Sequence, residues 1–459
     1  MRLTVIGCGH LGATHAACMA AIGHDVLGVD IDQDKVDLLN TGRAWFFEPG
    51  LDELLARHTQ GGELRFTTSF AEAARFGGVH FLGVGTPGLP SGHGYDLSQV
   101  FGATAALAPH LTGPALIIGK STVPPGTAGR LARELSRTAP ASDVIEVAWN
   151  PEFLREGHAV ADTLHPDRIV AGVPSLAAEA TTREIYRPLT DAGVPLIVTD
   201  AVTAELVKGA ANAFLATKVS FINAMADICA TTGADVGTLA DALGMDSRIG
   251  RAFLTAGLGY GGGCLPKDVR GLRAFVATAG VQGTGAVGLL TVVDEINSGR
   301  RQRVVDLVRT RLGELAGKRI ALWGAAFKPG TDDVRDSPGL DVADRLSRLG
   351  AEVVVYDPQA TGNALVAFPH LGYADSAASA AHQADAVLVV TAWPEFAEID
   401  PAATTAAARG RLLIDASQAV DPMRWRAEGW TVTAPFPTRD HHPERTRLTP
   451  GTTRGSQPG

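Results

Sequence analysis

The most chemically distinctive stretch of the 459-residue sequence is GLGYGGGCLPKDVR, residues 257–270. Its cysteine, Cys264, is followed by Lys267 and Asp268, and Pro266 suits the first turn of a helix. A helix dipole and a nearby ammonium both favour a thiolate, which is the environment of a nucleophile. Asp268 lies one helical turn further on, placed to act as a base or to hold a water. The stretch is predicted to be an active-site loop; the alternative is a flexible glycine-rich loop around a buried structural cysteine.

Three consecutive glycines, Gly261, Gly262 and Gly263, precede the cysteine. Glycine reaches positive φ without strain and has no side chain to hold a ligand away. We therefore expect these glycines to lay the main chain against a bound molecule beside Cys264.

The composition is that of a soluble globular protein. Hydrophobic residues make up 45% of the chain and charged residues 19%, and the length suits two to three domains. The net charge of −9 argues against a nucleic-acid-binding protein. The first residues form no charged and then apolar leader, and no apolar run approaches the roughly eighteen residues of a membrane span. We expect a cytoplasmic protein without a membrane segment.

The cysteines are few and show no CxxC spacing. They are Cys8, Cys18, Cys229 and Cys264. Neither a disulfide framework nor a zinc site is expected from this pattern, and no metal site is predicted.

The N-terminus carries a dinucleotide-binding fingerprint. An apolar strand, Leu3–Ile6, runs into GCGHLG at residues 7–12 and then into a helix through Ile22. The first glycine of a GxGxxG permits the tight turn, the second lets the pyrophosphate approach and the third allows close helix packing. A second strand, Asp25–Val29, ends at Asp30, whose carboxylate is expected to bind the adenosine ribose and to repel a 2′-phosphate. NAD is therefore predicted in preference to NADP.

Further strand and helix patterns predict a doubly wound parallel sheet around this fingerprint. The strands are expected near Leu64–Phe66, Val79–Val84, Ala115–Gly119 and Val144–Ala148. Ligands of such sheets bind beyond the carboxyl ends of the strands. Polar loops follow three of these strands, at 85–87, 121–126 and 150–156, and together they favour a binding edge over simple turn chemistry.

A long helix is predicted from residue 201 to about residue 231. It carries Glu205, Lys208, Asn212 and Asn223 among apolar residues. At 100° per residue these four fall within an arc of roughly 60°. The stripe is either a solvated face or part of a site, and its low density of charge favours a site.

A second α/β unit follows a spine helix predicted over 284–312. Its strands are predicted at Arg319–Trp323, Glu352–Tyr356, Ala386–Val390 and Arg411–Ile414. The unit has no GxGxxG, but Lys328 and Arg335 follow its first strand. They are candidate partners for a phosphate or a carboxylate; the alternative is an ordinary surface pair.

Taken in order, the motifs resemble those of the UDP-glucose/GDP-mannose dehydrogenase family, and of its UDP-glucose 6-dehydrogenase branch most closely. They are GCGHLG, GVGTP, KSTVPPGT, NPEFLREG, HPDRIVAG, ELVKGAANAFLATKVSFINA, DSRIG, GYGGGCLPKD and AAFKPGTDDVRDSP. The resemblance covers residues 1 to about 430. It implies an α/β fold in which two Rossmann-like, doubly wound parallel-sheet domains are joined by a central helical domain with a long spine helix.

The resemblance also implies the domain boundaries. Residues 1–200 are expected to bind NAD, and residues 201–300 to form the central helical domain, which carries the cysteine loop and supports dimerisation. Residues 301–436 are expected to bind the nucleotide sugar. The tail, 437–459, is rich in Thr, Arg, Pro, Gly and His without apolar periodicity, and is expected to be disordered. A homodimer or a higher homo-oligomer is expected.

The family's chemistry is the four-electron oxidation of a nucleotide sugar C6 alcohol to a carboxylate, with NAD as cofactor. By resemblance, the thiolate of the cysteine adds to the aldehyde formed first, and the thiohemiacetal is oxidised to a thioester that water releases. The catalytic residues implied are Cys264, Lys208, Asp268, Asn212, Glu156 and Thr122. Glu156 is expected to assist the hydrolysis.

The binding residues follow from the same resemblance. Those implied for NAD are Gly7, Gly9, His10, Leu11, Gly12, Asp30, Lys35, Thr86, Thr122, Glu156, Lys267 and Arg335. Those implied for the substrate are Glu152, Phe153, Leu154, Arg155, Lys208, Asn212, Arg248, Tyr260, Gly261, Gly263 and Lys328. Arg248 is expected to act across a dimer interface.

The chain departs from the family pattern at two places. The family commonly has Asp-Gly-Arg-Asn after its last strand, with the arginine reaching the nucleotide sugar, and Ser417 stands at the arginine position here. A proline usually precedes the EPGL motif, and residues 45–47, Trp-Phe-Phe, precede it here. Both changes bear on substrate identity more than on reaction type.

Alternatives to oxidation of UDP-glucose remain open. One is the same reaction on a UDP-N-acetylhexosamine or on GDP-mannose. Another is a single-hydride dehydrogenase of the 6-phosphogluconate or hydroxyacyl-CoA type, against which Cys264 argues. A third is a nucleotide-sugar sensor without turnover, against which the intact set of predicted catalytic residues argues.

Overall fold

The computed structural model describes residues 1–89, 94–279 and 285–436. The first part of the chain forms an eight-stranded sheet. Its strands are β1 (Arg2–Ile6), β2 (Asp25–Val29), β3 (Leu64–Thr67), β4 (Val79–Leu82), β5 (Ala115–Gly119), β6 (Ile145–Trp149), β7 (Ile169–Gly172) and β8 (Leu196–Thr199). Mainly apolar strands that are buried on both faces, such as β4 and β5, are typical of parallel strands covered by helices.

The strand order of this sheet is β3-β2-β1-β4-β5-β6-β7-β8. All neighbours are parallel except β6 and β7, which meet in an antiparallel pair through Trp149 and Gly172. The order reverses between β1 and β4, and a crevice for ligands is expected beyond their carboxyl ends. The helices that cover the sheet are α1 (His10–Ala21), α2 (Gln33–Asn40), α3 (Leu51–Gly61), α4 (Phe70–Phe76), α5 (Ser98–Leu107), α6 (Thr127–Thr138), α7 (Ala159–Leu164) and α8 (Leu176–Asp191). Short 3₁₀ turns lie at Ala108–His110 and Ser142–Val144.

Four helices connect this sheet to the next one. They are α9 (Ala201–Thr232), α10 (Val236–Gly244), α11 (Leu265–Thr278) and α12 (Gly285–Leu312). Asp200 caps α9 by accepting a hydrogen bond from Thr203 N at 2.9 Å, and Gly233 ends the helix with φ of +73°. Both α11 and α12 pack against α9. The boundary predicted at residue 300 falls inside α12.

Contrary to the expectation from the sequence, one helix in the described part of the chain, α9, is long and apolar enough to cross a membrane. It packs against α6, α11 and α12 and buries Glu205, Lys208 and Asn212. Buried charged groups that face packed protein are typical of a core helix. We therefore interpret α9 as the central helix of a soluble protein.

The last part of the chain forms a second sheet, which is parallel throughout. Its strands are β9 (Arg319–Trp323), β10 (Glu352–Tyr356), β11 (Gly372–Tyr373), β12 (Ala386–Val389), β13 (Leu412–Asp415) and β14 (Thr431–Thr433). Their order is β11-β10-β9-β12-β13-β14. The covering helices are α13 (Pro338–Arg348), α14 (Thr361–Ala367), α15 (Ala377–Ala381), α16 (Pro394–Glu398), α17 (Pro401–Ala407) and α18 (Pro422–Ala427). The tail predicted to be disordered, 437–459, lies outside the described residues.

Candidate active site

A cleft of about 1740 Å³ runs beyond the carboxyl ends of the first sheet and reaches α9, the start of α11 and the loop after β9. It is lined by most of the predicted site residues. These are Gly7, Gly9, His10, Leu11, Asp30, Lys35, Thr86, Thr122, Glu152, Phe153, Leu154, Arg155, Glu156, Lys208, Asn212, Tyr260, Gly261, Gly263, Cys264, Lys267, Lys328 and Arg335. Residues predicted to bind NAD and residues predicted to bind the substrate thus line the same cavity.

Three predicted residues do not line the cleft. A Cβ on Gly12 would lie 1.7 Å from the Gly7 carbonyl oxygen, so this glycine serves the packing of α1. Asp268 is fully buried behind the cleft wall. Arg248 is exposed and paired with Asp246, Nη2 to Oδ2 2.6 Å, outside the cleft of its own chain. The single chain therefore does not place Arg248 with the substrate residues, and its role stays a prediction that needs a second chain.

The glycine loop after β1 has the shape that a dinucleotide requires. Gly7 has φ of +89°, and a Cβ there would lie 2.6 Å from Val84. A Cβ on Gly9 would meet nothing within 4 Å, which leaves space for a pyrophosphate at the uncapped N-terminus of α1. Asp30 follows β2 and accepts hydrogen bonds from Cys8 N at 2.8 Å and Asp32 N at 3.1 Å. These residues fit an NAD⁺ whose adenosine ribose lies at Asp30.

Aromatic residues flank this end of the cleft. The Lys35 ammonium lies 5.0 Å from the ring centroid of Trp45, which also lines the cleft. The His10 ring contacts Trp45 and Phe46, and burial lowers the pKa of His10 to about 4, so its imidazole is neutral. Trp45 and Phe253 both line the cleft and were not predicted as site residues. The departure of residues 45–47 from the family pattern could have indicated Trp45. Nothing in the sequence indicates Phe253, whose φ is +64°.

Cys264 stands at the N-terminus of α11, and Asp268 N donates to its carbonyl at 2.9 Å, as the predicted helical turn requires. The residue is exposed to the cleft, but desolvation of its sulfur raises the pKa of Cys264 to about 12. The Lys208 ammonium lowers this pKa, while the carboxylates Glu152, Glu156 and Asp268 raise it. The raised pKa does not support the prediction that the free site favours a thiolate. The thiol must lose its proton to a base when it reacts.

Lys208 supplies a buried positive charge beside Cys264. It is buried and pairs with Glu152, Nζ to Oε1 3.2 Å, while Leu154 N donates to Glu152 Oε2 at 2.7 Å. Burial lowers the pKa of Lys208, but the carboxylates of Glu152 and Asp268 oppose this effect, and the pKa is raised overall. Lys208 therefore remains a cation in the described site.

The buried Asp268 carboxylate contacts Asn212 and Lys267. Its Oδ2 accepts from Asn212 Nδ2 at 2.5 Å, and its Oδ1 lies 2.8 Å from the Lys267 ammonium. Lys267 also lies over the Tyr95 ring, 4.8 Å from its centroid. The buried carboxylate thus orients the Asn212 amide toward the cleft.

The polar stripe predicted on α9 only partly lines the site. Lys208 and Asn212 do so, whereas Glu205 accepts from Gly126 N at 2.5 Å and Ala128 N at 2.6 Å at the start of α6. Asn223 accepts from the backbone N of residue 257 at 2.9 Å. These two residues hold loops in place and do not contact the cleft.

Glu156 forms an ion pair that joins the first α/β unit to the second. Its Oε1 lies 2.9 Å from Arg335 Nη2, and the same guanidinium binds Asp333 through Nε and Nη2 at 2.9 and 2.7 Å. Burial and the Asp333 charge raise the pKa of Glu156 to about 7, while Arg335 and Lys328 oppose the rise. Glu156 Oε2 is buried without a hydrogen-bond partner. A carboxylate that titrates near neutrality beside Cys264 suits a general base.

The glycines before Cys264 approach the chain itself. A Cβ on Gly261 would lie 2.4 Å from the Asp336 carbonyl oxygen, and one on Gly262 would lie 2.8 Å from the Phe327 ring. A Cβ on Gly263 would lie 2.5 Å from Arg335 Cζ. The prediction that these glycines are there for a ligand is therefore incomplete. Gly261 and Gly263 line the cleft, but all three permit close packing on the loop after β9.

The position of the missing family arginine lies away from the cleft. Ser417 Oγ donates to Asp415 Oδ1 at 3.1 Å, and Gln418 Nε2 donates to Ala256 O at 2.9 Å. None of residues 415–420 lines the cleft. The sequence-based doubt about the substrate that rested on Ser417 therefore has no structural support in the single chain.

Comparisons with known proteins agree with this geometry. Models of the UDP-glucose/GDP-mannose dehydrogenase family match residues 1–190 as the NAD binding domain, 202–299 as the central domain and 321–422 as the UDP binding domain. A UDP-glucose 6-dehydrogenase of Haloferax volcanii is 44% identical over 92% of this chain and 97% of its own length. One from Rhizobium meliloti is 41% identical over 90% and 94%.

A solved structure gives the same result. The UDP-glucose dehydrogenase of the hyperthermophilic archaeon Pyrobaculum islandicum superposes with a TM-score of 0.86 and 36% identity, over 94% of this chain and 96% of that one. Both sheets and the intervening helices fall within this overlap. The chain thus belongs to the UDP-glucose/GDP-mannose dehydrogenase family and is an NAD-dependent oxidoreductase of UDP-sugars.

Proposed function

We propose that this enzyme oxidises UDP-glucose at C6 to UDP-glucuronate, through a thiohemiacetal and a thioester on Cys264. The observation that carries the proposal is that Cys264 opens into the same cleft as the dinucleotide loop, with Lys208, Asn212 and Glu156 around it. A single oxidation of an alcohol needs no cysteine. A second oxidation needs a group that holds the aldehyde, and a thiol does so by covalent addition.

In the first stage the C6 alcohol loses a proton and a hydride and becomes an aldehyde. NAD⁺, when bound, supplies the hydride acceptor at both stages. The Lys208 ammonium and the Asn212 amide are placed to stabilise the alkoxide as charge develops on the C6 oxygen. Asp268 and Glu152 keep these two groups in position through the contacts described above.

In the second stage the Cys264 sulfur adds to the aldehyde carbon and its proton is transferred to a base, so a C–S bond forms and the carbonyl becomes a hemithioacetal oxygen. The Lys208 ammonium, whose charge acts on Cys264, would stabilise that oxygen. Loss of a second hydride then re-forms a carbonyl, now as a thioester of Cys264. The carbon has given up four electrons in all.

In the last stage water attacks the thioester carbonyl. Glu156 takes a proton from that water, the C–S bond breaks, and the departing sulfur takes up a proton, which restores the thiol of Cys264. Thr122 is placed to hold the water, because it lines the cleft and its carbonyl is fixed by the Thr86 hydroxyl at 2.7 Å. The overall balance is one alcohol, one water and two NAD⁺ giving one carboxylate, two NADH and three protons.

We assign substrate recognition to the predicted substrate-binding residues that line the cleft. They are Glu152, Phe153, Leu154, Arg155, Tyr260, Gly261, Gly263 and Lys328. Lys328 lines the cleft and burial lowers its pKa, which a bound diphosphate would oppose. Arg155 lines the cleft and is paired with Asp162, Nη2 to Oδ1 2.7 Å.

The choice of sugar is tested with a panel of substrates. Purified enzyme and NAD⁺ are mixed with UDP-glucose, UDP-N-acetylglucosamine, UDP-N-acetylmannosamine and GDP-mannose, and NADH is followed by absorbance. The highest kcat/KM is expected with UDP-glucose. A UDP-N-acetylhexosamine that is oxidised better would keep the chemistry and change the substrate. Turnover of 6-phosphogluconate alone would contradict the proposal.

We also expect a homodimer in the cytoplasm. The outward face of α9 exposes Leu206, Phe214, Phe221 and Ile228, which recur every seven or eight residues and so share one side of the helix. A run of exposed apolar side chains on one face is typical of a protein interface. A second copy there would also offer a place for Arg248, which lies outside the cleft of its own chain.

A further inference from the structure

Asp336, the residue after Arg335, has an unusual backbone. Its φ is +46°, in the left-handed region that side chains other than glycine rarely occupy. Aspartate tolerates this region better than most residues, but surrounding structure must hold it there. Residues held in this way cluster at functional sites, and Asp336 is next to a cation that contacts Glu156.

Two arginines hold the Asp336 carboxylate. Arg301 Nη2 lies 2.7 Å from Oδ1, and Arg270 Nη1 lies 3.3 Å from Oδ2. Arg301 belongs to α12, whereas Arg270 belongs to α11, the helix that begins after Cys264. The Asp336 carboxylate thus links the loop after β9 to both α11 and α12.

The backbone of the same loop is fixed against the glycines before Cys264. Gly262 N donates to the Arg335 carbonyl at 2.9 Å, and the Arg335 guanidinium lies where a Cβ of Gly263 would be. From there the guanidinium reaches Glu156 at 2.9 Å. A change in the Asp336 conformation would therefore move Arg335 relative to both Glu156 and Cys264.

We propose that Asp336 is a positioning residue: its ion pairs with Arg270 and Arg301 fix Arg335 against Glu156 and thereby set the rate at which the thioester is hydrolysed. The inference rests on the proposed function, since it concerns the step in which Glu156 takes a proton from water, the C–S bond breaks and Cys264 leaves. It adds a residue that touches neither substrate nor cofactor and acts through its neighbour.

The expected signature lies in the pH dependence of hydrolysis. The charged or titratable groups facing Glu156 are Asp333, Arg335, Lys328 and Cys264. Arg335 favours the carboxylate form, so a displaced Arg335 leaves Glu156 with a higher pKa. Because Glu156 acts as a base only when ionised, the pH below which hydrolysis slows should rise. The hydride transfers do not use Glu156 as a base, so at saturating NAD⁺ they should keep their rates.

Two variants remove the charge of Asp336 and retain its backbone conformation. Asp336→Asn keeps the size and tolerates the left-handed conformation but lacks the charge, and Asp336→Gly keeps only the conformation. Asp341→Asn is the matched control, since Asp341 of α13 also pairs with Arg301, at 3.3 Å, without contacting Arg335. Single-turnover experiments with UDP-glucose follow NADH by absorbance and the Cys264 thioester by intact mass, from pH 5.5 to pH 9.

Both Asp336 variants should hydrolyse the thioester about tenfold to a hundredfold more slowly, because general base catalysis contributes about 10²–10⁴-fold and is only partly lost. The acid limb should move to higher pH, NADH formation should stay within about twofold, and Asp341→Asn should match the wild type. Folded Asp336 variants with wild-type hydrolysis and pH profile would overturn the inference. A wild type that forms no thioester would instead contradict the proposed function on which the inference rests. The failure of the inference and the failure of the proposed function are therefore distinguishable.

Discussion

At the residue scale, the site is a set of charges that depend on one another. Lys208 stays protonated because Glu152 is beside it, and Glu156 titrates near neutrality because Asp333 and burial oppose Arg335. Cys264, by contrast, is a thiol in the free cleft. Its nucleophilicity must therefore arise with the substrate present, when Lys208 can stabilise the oxygen that addition of sulfur creates.

Replacement of Cys264 tests its role directly. Cys264→Ala should abolish formation of the acid at saturating NAD⁺ and UDP-glucose, because the aldehyde then has no sulfur to hold it for the second oxidation. Product analysis by chromatography checks this. Cys229→Ala is the control: Cys229 is buried in α9 with a different core cluster, so we expect a loss of about 1 kcal/mol in stability and wild-type turnover. Acid formed by Cys264→Ala at the normal rate would exclude the thioester.

The pKa of Glu156 predicts how acid release depends on pH. Its pKa is raised to about 7, so the carboxylate is increasingly protonated below pH 7 and the base is lost. Hydrolysis should therefore slow as the pH falls through about 7. Glu156→Gln should remove this limb and leave a thioester on Cys264 that intact mass detects, whereas Glu184→Gln, on an exposed ion pair of α8, should behave as the wild type. A limb that persists in Glu156→Gln would assign it to another group.

Most of the predicted site residues line the cleft. The family resemblance implied many of them, whereas residue types and spacing indicated others, since a cysteine after glycines or an acid after a strand has few other uses. What they did not predict depends on distant contacts. Desolvation of the Cys264 sulfur, the exposed position of Arg248 and the burial of Asp268 arise from how separate segments meet in space. The partnership of Asp333 with Glu156 also joins residues far apart in the chain.

At the scale of elements, the cysteine loop is a junction between α11 and the loop after β9. Its glycines are required where the two segments interlock, since side chains there would meet Phe327, Arg335 and Asp336. Asn223 of α9 is buried against this loop, where it accepts a hydrogen bond from the backbone at the start of the loop. Geometry at Cys264 thus depends on close packing well beyond the cleft.

A matched pair of substitutions tests this packing. Gly262 has φ of +83° and a Cβ there would lie 2.8 Å from the Phe327 ring, so Gly262→Ala should destabilise the protein by about 2 kcal/mol and lower kcat. Gly299 lies within α12, and a Cβ there would meet nothing within 4 Å. Gly299→Ala should instead stabilise the protein by about 0.5–1 kcal/mol. Denaturant unfolding measures both, and equal effects of the two substitutions would contradict this account of the loop.

The five-residue strands β2, β5, β9 and β10 have the predicted ends, because apolar patterns define them. The strands that were not predicted are shorter. β7 and β8 have four residues each and β11 has two, which is too few for a periodic signal. The antiparallel pairing of β6 with β7 depends on where the chain returns to the sheet, which local patterns do not record.

At the scale of the whole molecule, the cleft lies between the two sheets and is closed on one side by the central helices. Ion pairs such as Glu156 with Arg335 join the first α/β unit to the second across it. Residues of both α/β units therefore line the cleft, and Cys264 lines it from a loop that belongs to neither sheet. This arrangement explains why neither α/β unit alone contains the complete site.

The proposed dimer belongs to this scale as well. Phe221→Asp places a charge on the exposed apolar face of α9, so it should shift a dimer toward monomer in analytical ultracentrifugation. Turnover should fall with it if Arg248 acts across the interface. Val366→Asp, on an 83% exposed position of α14, is the control and should leave the assembly unchanged. A wild type that sediments as a monomer at micromolar concentration would contradict the dimer.

The most direct test of the central claim is the ratio of NADH formed to UDP-glucose consumed, measured to completion by absorbance and chromatography with NAD⁺ in excess. Two successive oxidations through a thioester on Cys264 predict a ratio of two, with the uronic acid as the only sugar product. A ratio of one, with an aldehyde or ketone accumulating, would contradict the four-electron mechanism.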